Sequence, residues 1–464
     1  MIFSIILAAG EGKRMFSKVP KVLHKICGRE MIFYAIDAVK NISEKTVVVI
    51  SENISMEVLG EKISATYQKI PLGTADAVKC GLEVLRDIPS DSLIVITTGD
   101  NPLVKERDIT SFIEFHLTKG NEVSLLSGIS ENPSGLGRVV RNWDEFIKIV
   151  EEKDAREEEK KIKEINTGIY IFRKDLLEQS LKEITNENAQ KEFYLTDSLA
   201  ILKSKGAKIG VKVFEKLLPV YGVNNRFELY RASKAIQWEI LENLMKEGVS
   251  IINPETVNID YGVKVSQDVM VLPGVILEGS TNIDSGCVIG PNTKIANSII
   301  GRNSTVQYSV VLDSLVGEEC SIGPFAYVRP GNILANKVKI GTFVEVKKSR
   351  FNESSKAPHL SYIGDATVGK NVNIGAGTIT CNFSGLEGDK KNATLIEDDV
   401  FIGSNSTLVA PLIIRKGAYT AAGSVVTEEV PENSLAIGRA KQVNKEGWAK
   451  RRKGSNGKRS SKSS

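Results

Sequence analysis

A six-residue periodicity in the second half of the chain constrains its fold more than any other feature. From residue 259 every sixth position is aliphatic through residue 295, and a second such run begins at residue 316. A third run begins at residue 396 and fails once, at Thr420. Six is neither the period of a helix nor the alternation of a strand. The aliphatic positions of the two unbroken runs are Ile259, Val265, Val271, Leu277, Ile283, Ile289 and Ile295, then Val316, Ile322, Val328, Leu334, Ile340 and Val346.

A short strand and a bend every six residues would place one aliphatic side chain inward on each side of a coil. Stacked coils of this kind form a solenoid with an aliphatic interior. Glycine often follows the aliphatic position, as at Gly290, Gly323 and Gly403, and glycine suits tight corners. An ordinary β-sandwich with coincidental spacing is the alternative. The pattern predicts a β-solenoid and by itself no function.

The chain has 464 residues, enough for two or three domains. Its five cysteines are scattered and form no CxxC or Cys/His cluster. This usage favours neither a disulfide framework nor a zinc site and suits a reducing cytoplasm. The apolar start, residues 1–10, is too short for a membrane span and lacks the basic leader of a secretory signal. We therefore expect a buried strand there and no membrane span.

The net charge of +4 is misleading, because the last 15 residues contain seven Lys or Arg and no acid. The rest of the chain is consequently net negative. We expect residues 449–464 to be a basic disordered tail, because a segment of this composition cannot bury a core. A solvated tail is the default interpretation, and no nucleic-acid partner is expected.

The first half alternates apolar runs with amphipathic stretches, which predicts an α/β, Rossmann-like domain around a mostly parallel sheet. Ligands in such folds bind at the carboxyl ends of the strands. The predicted strands are Ser4–Ala9, Thr46–Ser51, Ser92–Thr98, Val123–Leu126 and Gly168–Phe172, and the predicted helices are Ile32–Val39 and Ala75–Leu85.

Charged and glycine-rich motifs follow these strands. The loop of residues 7–15 carries glycines and two cations, a composition that lets backbone N–H groups and positive charge meet a phosphate. It has neither Walker A nor GxGxxG spacing. Lys21 follows Pro20 closely and could be a second phosphate clamp or a surface lysine. Asp100 ends a predicted strand and could be a metal ligand or a turn residue that caps local backbone donors.

The ordered set of motifs in the first half resembles the sugar-1-phosphate nucleotidyltransferases. With the hexapeptide half, the resemblance covers nearly all of residues 1–448. It extends to the family of bacterial bifunctional N-acetylglucosamine-1-phosphate uridyltransferases/glucosamine-1-phosphate N-acetyltransferases, whose second half is a left-handed parallel β-helix. The motifs are residues 7–15, Pro20-Lys21, Gln68, Leu72-Gly73-Thr74-Ala75, Thr98-Gly99-Asp100, Gly135-Leu136-Gly137-Arg138, Ile149-Val150-Glu151, Glu164-Ile165-Asn166-Thr167-Gly168 and Gly222-Val223-Asn224-Asn225-Arg226.

The resemblance implies a role for each matching residue of the first half. Asp100 and Asn224 would hold Mg²⁺, and Lys21 and Arg14 would act in catalysis on the phosphates. Lys13 and Thr98 depart from the threonine and tyrosine common in the family, which leaves the contact of Thr98 open. The residues implied to bind UTP or UDP-N-acetylglucosamine are Leu7, Ala8, Ala9, Gly10, Lys21, Gln68, Gly73, Thr74, Gly137, Glu151, Asn166 and Asn224, with Gln68, Gly73 and Thr74 reading the uracil and Gly137, Glu151 and Asn166 holding the sugar.

The hexad count fails twice, over Lys347–His359 and over Phe383–Ala393, and we expect both segments to leave the coil as binding excursions. Of the three histidines, His116 is predicted to lie on the surface and His24 to be structural. His359 lies in the first interruption. A loop histidine usually has no special role, but acetyl transfer to an amine needs a base that titrates in this range.

By resemblance, His359 is that catalytic base. Phe383 stands where the family commonly has tyrosine, which puts one coenzyme contact in doubt. The loop near Lys391 also differs in length from the family. The residues implied to bind glucosamine 1-phosphate are Arg329, Lys347, Tyr362, Asn373 and Lys391, and those implied to bind acetyl-CoA are Asn382, Phe383, Ser404, Ala422 and Arg439.

The sequence thus predicts a nucleotidyltransferase domain at 1–225, a linker helix at 226–248, an acetyltransferase domain at 249–448 and a tail at 449–464. The expected enzyme acetylates glucosamine 1-phosphate with acetyl-CoA and then couples the product to UTP. By analogy it is a cytoplasmic homotrimer that serves peptidoglycan and lipopolysaccharide synthesis and hence cell shape. Two rivals remain, a single-activity nucleotidyltransferase with a structural hexapeptide domain and a non-catalytic regulatory protein of the same architecture.

Overall fold

The computed structural model describes residues 1–60, 63–214, 222–383, 385 and 391–456. It divides into two compact units, Met1–Glu242 and Asn243–Ser464. The division falls inside the helix that was predicted as the linker, so the domain limits given above stay a prediction.

The first unit is an α/β fold around a mostly parallel sheet, as predicted. Its strands are β1 (Ile2–Ala8), β2 (Lys25–Ile26), β3 (Arg29–Glu30), β4 (Lys45–Ile50), β5 (Ser64–Tyr67), β6 (Leu93–Thr98), β7 (Val123–Ile129), β8 (Arg138–Asn142), β9 (Glu145–Val150), β10 (Glu164–Arg173) and β11 (Ile209–Phe214). Its helices are α1 (Met31–Asp37), α2 (Thr74–Val84), α3 (Glu106–Thr118), α4 (Lys174–Leu181), α5 (Asp197–Ser204) and α6 (Arg226–Lys246), with short 3₁₀ turns at Lys13–Met15, Lys21–Leu23, Met56–Leu59 and Glu159–Lys161.

The strand order of the main sheet is β11–β7–β10–β6–β1–β4–β5. Only β10 runs antiparallel to its neighbours in this order, against β6 and β7. The hairpin β8–β9 joins the sheet where Arg138 pairs with Ile165 of β10. Because β1, β4 and β6 are parallel, their carboxyl ends meet at one edge of the sheet.

The central strands are buried on both sides, which explains their continuous aliphatic sequence. In β1, Ile5 packs into the cluster on one side of the sheet and Ile6 into the cluster on the other. His116 of α3, which the sequence analysis assigned to the surface, is buried at 1% exposure. Its Nδ1 lies 2.9 Å from the Ser124 hydroxyl of β7. That assignment was wrong because the helix face carrying His116 packs on the sheet.

The second unit is the predicted left-handed parallel β-helix, with three faces of two- to four-residue parallel strands. The first face contains Ser250–Ile251, Met270–Val271, Val288–Ile289, Thr305–Val306, Ser321–Ile322, Lys339–Thr342, Lys356–His359, Asn373–Ile374, Phe401–Ile402, Tyr419–Thr420 and Leu435–Ala436. The second face contains Asn258–Ile259, Ile276–Glu278, Lys294–Ala296, Val310–Leu312, Tyr327–Val328, Glu345–Lys347, Tyr362–Gly364, Ile379–Cys381, Thr407–Val409 and Val425–Val426. The third contains Lys264–Val265, Asn282–Ile283, Ile299–Ile300, Leu315–Val316, Ile333–Leu334, Arg350–Phe351, Ala366–Val368, Thr394–Ile396 and Leu412–Ile414.

The periodic aliphatic side chains form the interior of this unit. Nearly all are below 5% exposed, and the apparent miss, Thr420, is also buried. Its hydroxyl accepts a hydrogen bond from the backbone N–H of Gly403 at 2.9 Å, which satisfies the polar atom inside the coil. The hydrophobic interior therefore continues through the position where the sequence pattern fails.

The first interruption of the hexads is not an excursion, contrary to the prediction. Lys347 ends a strand of the second face and His359 ends one of the first face. Between them Phe351 and Ala357 still point inward and are fully buried. The count fails because Val346 and Phe351 are five residues apart, so this corner is one residue shorter than the hexad requires.

The second interruption lengthens one turn of the coil. The inward positions Thr380 and Ile396 belong to consecutive strands, although 15 residues separate them in sequence. The backbone N–H of Asn392 donates to the carbonyl of Asn382 at 3.0 Å and so closes the base of the insertion. Residues 384 and 386–390 lie outside the described residues.

A helix forms in each of the segments predicted as linker and tail. The predicted linker helix forms as α6, and α7 (Trp448–Asn456) covers part of the segment 449–464 that was expected to be disordered. The remainder of that segment, from residue 457, lies outside the described residues. In the part of the chain that is described, no helix combines the length and the apolarity that crossing a membrane requires.

Candidate active sites

A cavity of about 780 Å³ opens at the carboxyl edge of the sheet in the first unit. The glycine-rich loop after β1, the start of α2 and the residues after β6 line it, as expected for a parallel sheet. Among the sequence-predicted residues, those in its lining are Leu7, Ala8, Ala9, Gly10, Arg14, Lys21, Gln68, Gly73, Thr74, Asp100 and Asn224.

Lys21, Asp100 and Asn224 meet on one wall of this cavity. The Lys21 ammonium forms an ion pair with the Asp100 carboxylate and donates to Asn224 Oδ1 at 3.2 Å. The Lys21 and Asp100 side chains are 13% and 14% exposed. The amide of Asn224 is oriented by its own donation to the Gly222 carbonyl at 2.7 Å, so its oxygen faces the ammonium.

These contacts test whether the predicted metal ligands fit a divalent ion. A carboxylate and an amide oxygen already converge on one cation, the Lys21 ammonium. Both are hard oxygen donors of the type that Mg²⁺ prefers, and Mg²⁺ keeps several waters, so two protein ligands suffice. The donor set of Asp100 and Asn224 therefore fits Mg²⁺.

The other predicted cation, Arg14, lies on the short 3₁₀ turn Lys13–Met15 of the phosphate loop. Its guanidinium approaches Gly135, the first residue of another predicted motif. Lys13, which replaces the family's threonine, forms an exposed ion pair with Glu11 at 2.7 Å. Among the described residues, no ion pair of Arg14 with an acid is found.

The loop after β5 is held rigidly at the far end of the cavity. Gly73 has φ of +121°, and an added Cβ would lie 2.7 Å from the backbone N of Phe193. The Thr74 hydroxyl accepts from the backbone N–H of Leu195 at 2.9 Å. Only glycine fits at 73, because a side chain would meet the 193–195 segment in a backbone conformation that L residues rarely adopt.

The predicted sugar residues Gly137, Glu151 and Asn166 lie outside this cavity lining but adjoin one another. The backbone N–H of Asn166 donates to the Gly137 carbonyl at 2.9 Å, and Gly137 lies directly against the Glu151 carboxyl. Burial raises the pKa of Glu151, although a hydrogen bond from Thr196 opposes the shift. The structure therefore forms a partly buried polar cluster, consistent with a neutral hydrogen-bonding ligand.

Three further lining residues, Lys153, Gln190 and Glu192, were missed from the sequence. Lys153 lies in the Glu- and Lys-rich run that was interpreted as solvated surface. The run 189–192 carried no motif. No sequence pattern within either segment marks it as part of a site, because only the folding of the chain brings these residues to the cavity.

In the second unit, three cations cluster on the outside of the second face. Lys347 contacts Lys391, and this contact lowers the pKa of Lys347, with further lowering by desolvation and by Arg329 and an opposing effect of Asp365. Arg329 pairs with Glu345 at 2.8 Å. Holding like charges close together raises the electrostatic free energy unless an anion binds between them.

Tyr362 and Asn382 adjoin this cluster. The Asn382 amide donates to Asp365 and, at 3.4 Å, to the Tyr362 hydroxyl. Tyr362 pairs with Glu345 of the preceding coil, and Lys347 with Gly364. The structure thus brings together four of the five residues predicted to bind the amino-sugar phosphate. The fifth, Asn373, lies on the first face beside Lys356.

His359 is exposed at the corner between the first and second faces. It pairs with Thr342 of the coil below, and the corner continues upward through hydrogen bonds from Gly377 N–H to Leu360 O (2.9 Å) and from Asn405 N–H to Ala376 O (2.7 Å). Gly423 N–H donates to Ser404 O at 2.8 Å. His359, Ser404 and Ala422 therefore stand along one edge of the helix.

Arg439 and Phe383 are the remaining residues that were predicted to bind acetyl-CoA. The Arg439 side chain lies next to Gly423, at the upper end of the same edge. Phe383 begins the insertion and is 64% exposed. Ala376, which was not among the predicted residues, lies on the same edge between His359 and Ser404.

Comparisons with known proteins cover both units. Family profiles match residues 3–216 (Nucleotidyl transferase), 251–357 (GMPPB C-terminal domain) and 394–428 (Hexapeptide repeat of succinyl-transferase). The chain is 48% identical to the bifunctional protein GlmU of Caldanaerobacter subterraneus over 97% of this chain and 98% of that protein. It is 47% identical to the bifunctional protein GlmU of Carboxydothermus hydrogenoformans, over 96% of this chain and 99% of that protein. It is also 47% identical to the bifunctional protein GlmU of Thermosipho africanus, over 98% of this chain and 98% of that protein.

Proposed function

The chain belongs to the bifunctional GlmU family, and on that premise we propose how its two units divide the two reactions. The enzyme is a glucosamine-1-phosphate N-acetyltransferase and an N-acetylglucosamine-1-phosphate uridyltransferase. The relatives match 96–97% of the chain, so neither the single-activity alternative nor the non-catalytic one is favoured. We assign uridyl transfer to the first unit and acetyl transfer to the second.

Uridyl transfer takes place in the cavity of the first unit. A phosphate oxygen of N-acetylglucosamine 1-phosphate attacks the α-phosphorus of UTP, and the bond to pyrophosphate breaks. Such transfers depend on in-line positioning and on neutralising charge at the phosphates. Lys21 and Arg14 supply positive charge there, and Ala9 and Gly10 offer backbone N–H groups from the loop after β1. Asp100 and Asn224 would hold Mg²⁺, which neutralises phosphate charge when bound.

The observation that carries this assignment is the convergence of Lys21, Asp100 and Asn224. Asp100 and Asn224 lie 79 and 203 residues from Lys21 along the chain, yet its ammonium contacts an oxygen of each in the cavity wall. The cluster of Gly137, Glu151 and Asn166 is polar and partly buried, which suits the acetamido sugar.

Acetyl transfer takes place on the outside of the β-helix. The amine of glucosamine 1-phosphate attacks the thioester carbonyl carbon, the C–N bond forms and the C–S bond breaks. His359 accepts the proton that the nitrogen loses and returns it to the departing sulfur, so coenzyme A leaves as the thiol. Arg329, Lys347, Tyr362 and Lys391 hold the phosphate end of the sugar, with Asn373 on the adjoining face. Asn382, Phe383, Ser404, Ala422 and Arg439 line the path of acetyl-CoA along the edge above His359.

Several wider properties belong to the same proposal. We propose that three β-helices assemble side by side, with coenzyme A bound between neighbours. A reducing cytoplasm suits the five free cysteines. The product would feed peptidoglycan and lipopolysaccharide synthesis and hence cell-wall formation and cell shape.

A coupled assay tests the proposal. Glucosamine 1-phosphate, acetyl-CoA, UTP and Mg²⁺ are supplied, and pyrophosphate is followed. We expect pyrophosphate only when acetyl-CoA is present, and we expect Asp100→Ala to abolish it while the release of coenzyme A continues. Loss of both products in Asp100→Ala would contradict the division of the reactions between the units.

A further inference from the structure

Gln68 is a buried side chain of the nucleotide cavity whose amide orientation can be deduced from its neighbours. It is 5% exposed and lies just after β5. Its Nε2 lies 3.0 Å from the Gly73 carbonyl oxygen and 2.8 Å from Asp76 Oδ2. A backbone carbonyl can only accept, and so can an ionised carboxylate. The atom between them must therefore be the NH₂ group, and both of its hydrogens are engaged.

This leaves the amide oxygen as the polar atom of Gln68 that is available to a ligand. Oε1 has no hydrogen-bond partner among the described residues, and it is not sealed off from solvent. Since Gln68 lines the cavity, its oxygen is presented there as an acceptor. Without Asp76, one N–H would be free to turn to the cavity, and the same side chain could then donate.

We infer that Asp76 is a specificity-determining positioning residue, which holds Gln68 so that it offers only an acceptor to the base of the nucleotide. The inference rests on the proposed uridyl transfer. Uracil carries an N3–H donor on its Watson–Crick edge, whereas cytosine has an acceptor at N3 and would place two lone pairs against each other. Asp76 does not line the cavity itself and acts through Gln68.

The place of Asp76 supports this role. It lies in the first turn of α2, next to the rigid loop of Gly73 and Thr74. Gly73 is itself fixed against Phe193, so the carbonyl that takes the first hydrogen of Gln68 does not move freely. The carboxylate that takes the second hydrogen completes the orientation, because an amide with two fixed acceptors has one arrangement.

The test compares UTP, CTP and 5-methyluridine triphosphate as substrates of the full-length enzyme in the pyrophosphate assay. For Asp76→Ala we expect the ratio of kcat/KM for UTP over CTP to fall on the order of 10- to 100-fold, the range for one buried polar mismatch. The ratio for UTP over 5-methyluridine triphosphate should not change, because both bases keep N3–H. Asp76→Asn retains an acceptor oxygen and should keep the wild-type discrimination.

Glu83→Ala, which removes an exposed acid from the same helix, is the matched control and should leave both ratios unchanged. Coenzyme A release measured on each variant reports whether the second unit is intact. If Asp76→Ala slows UTP and CTP in equal proportion, or if Asp76→Asn loses discrimination as well, the inference is overturned. Failure of the wild-type enzyme to release pyrophosphate from UTP would instead overturn the proposed function.

Discussion

Gly222 lies directly against the Asp100 carboxylate, where an added Cβ would come within 2.6 Å of Asp100 Oδ2. The adjoining backbone is tied as well, since Val223 N–H donates to the Asp100 carbonyl at 2.8 Å. A residue far along the chain thus shapes the space around the candidate metal ligand. The absence of a side chain at 222 is a geometric requirement of the site.

Gly222→Ala replaces no charged group, yet it should impair uridyl transfer. The methyl group would displace the carboxylate, and misplacement by about 1 Å can cost on the order of 100-fold. We expect kcat for pyrophosphate release to fall and the Mg²⁺ concentration for half-maximal rate to rise. Acetyl transfer by the same preparation is the control. An unchanged Mg²⁺ dependence would show that the carboxylate tolerates the methyl group.

His359→Ala should reduce acetyl transfer on the order of 10²- to 10⁴-fold, because a positioned base typically contributes this much. Uridyl transfer from supplied N-acetylglucosamine 1-phosphate should survive. Lys356→Ala, an exposed change in the same strand, serves as the matched control. The measurement is coenzyme A release at saturating substrates. Equal loss of both activities in His359→Ala would argue against two separate sites.

Lys391→Ala should raise KM for glucosamine 1-phosphate about two- to fivefold, the range for an exposed charge pair. Contact with Lys391 lowers the pKa of Lys347, so its removal returns that pKa towards the ordinary value. In the wild type, KM should consequently begin to rise at a lower pH than in the variant. Lys370→Ala, on an exposed lysine elsewhere, is the comparison. Superimposable pH profiles of the wild type and Lys391→Ala would contradict the coupling.

Glu151→Gln should stabilise the first unit in a pH-dependent way. Burial raises the pKa of Glu151 above 4.5, so between the unfolded and folded values the native state binds more protons than the unfolded state. The free energy of unfolding therefore falls as pH rises through this window. Glutamine does not titrate, so the variant should not lose this stability. A gain of about 1 kcal/mol would raise Tm by about 2–4 °C at pH 7.

Calorimetry at pH 4 and pH 7 checks this prediction, since the gain should be smaller below pH 4.5, where both states are protonated. Glu157→Gln, on an exposed acid, should give no pH-dependent gain. The same gain at both pH values would mean that packing, and not the titration of Glu151, accounts for the effect.

The sequence predicted much of the fold from repetition. The hexad period predicts one inward side chain on each side of a coil, so a β-solenoid and its interior follow from local spacing, whereas the left-handed β-helix was implied by the family resemblance. The strands of the first unit were also recognisable, because burial on both sides demands continuous aliphatic runs. The prediction that Lys347–His359 leaves the coil was wrong, because one shortened corner breaks the count of six and leaves the coil intact.

The site was predictable only in part. Lys21, Asp100 and Asn224 could be named from their motifs, and the sequence by itself determined that the chain carries these groups in this order. The tertiary structure alone decided which groups touch. It brought Asp76 to Gln68, Gly222 to Asp100 and Lys391 to Lys347. Such pairs depend on three-dimensional distance, and short-range sequence patterns carry no information about contacts between distant segments.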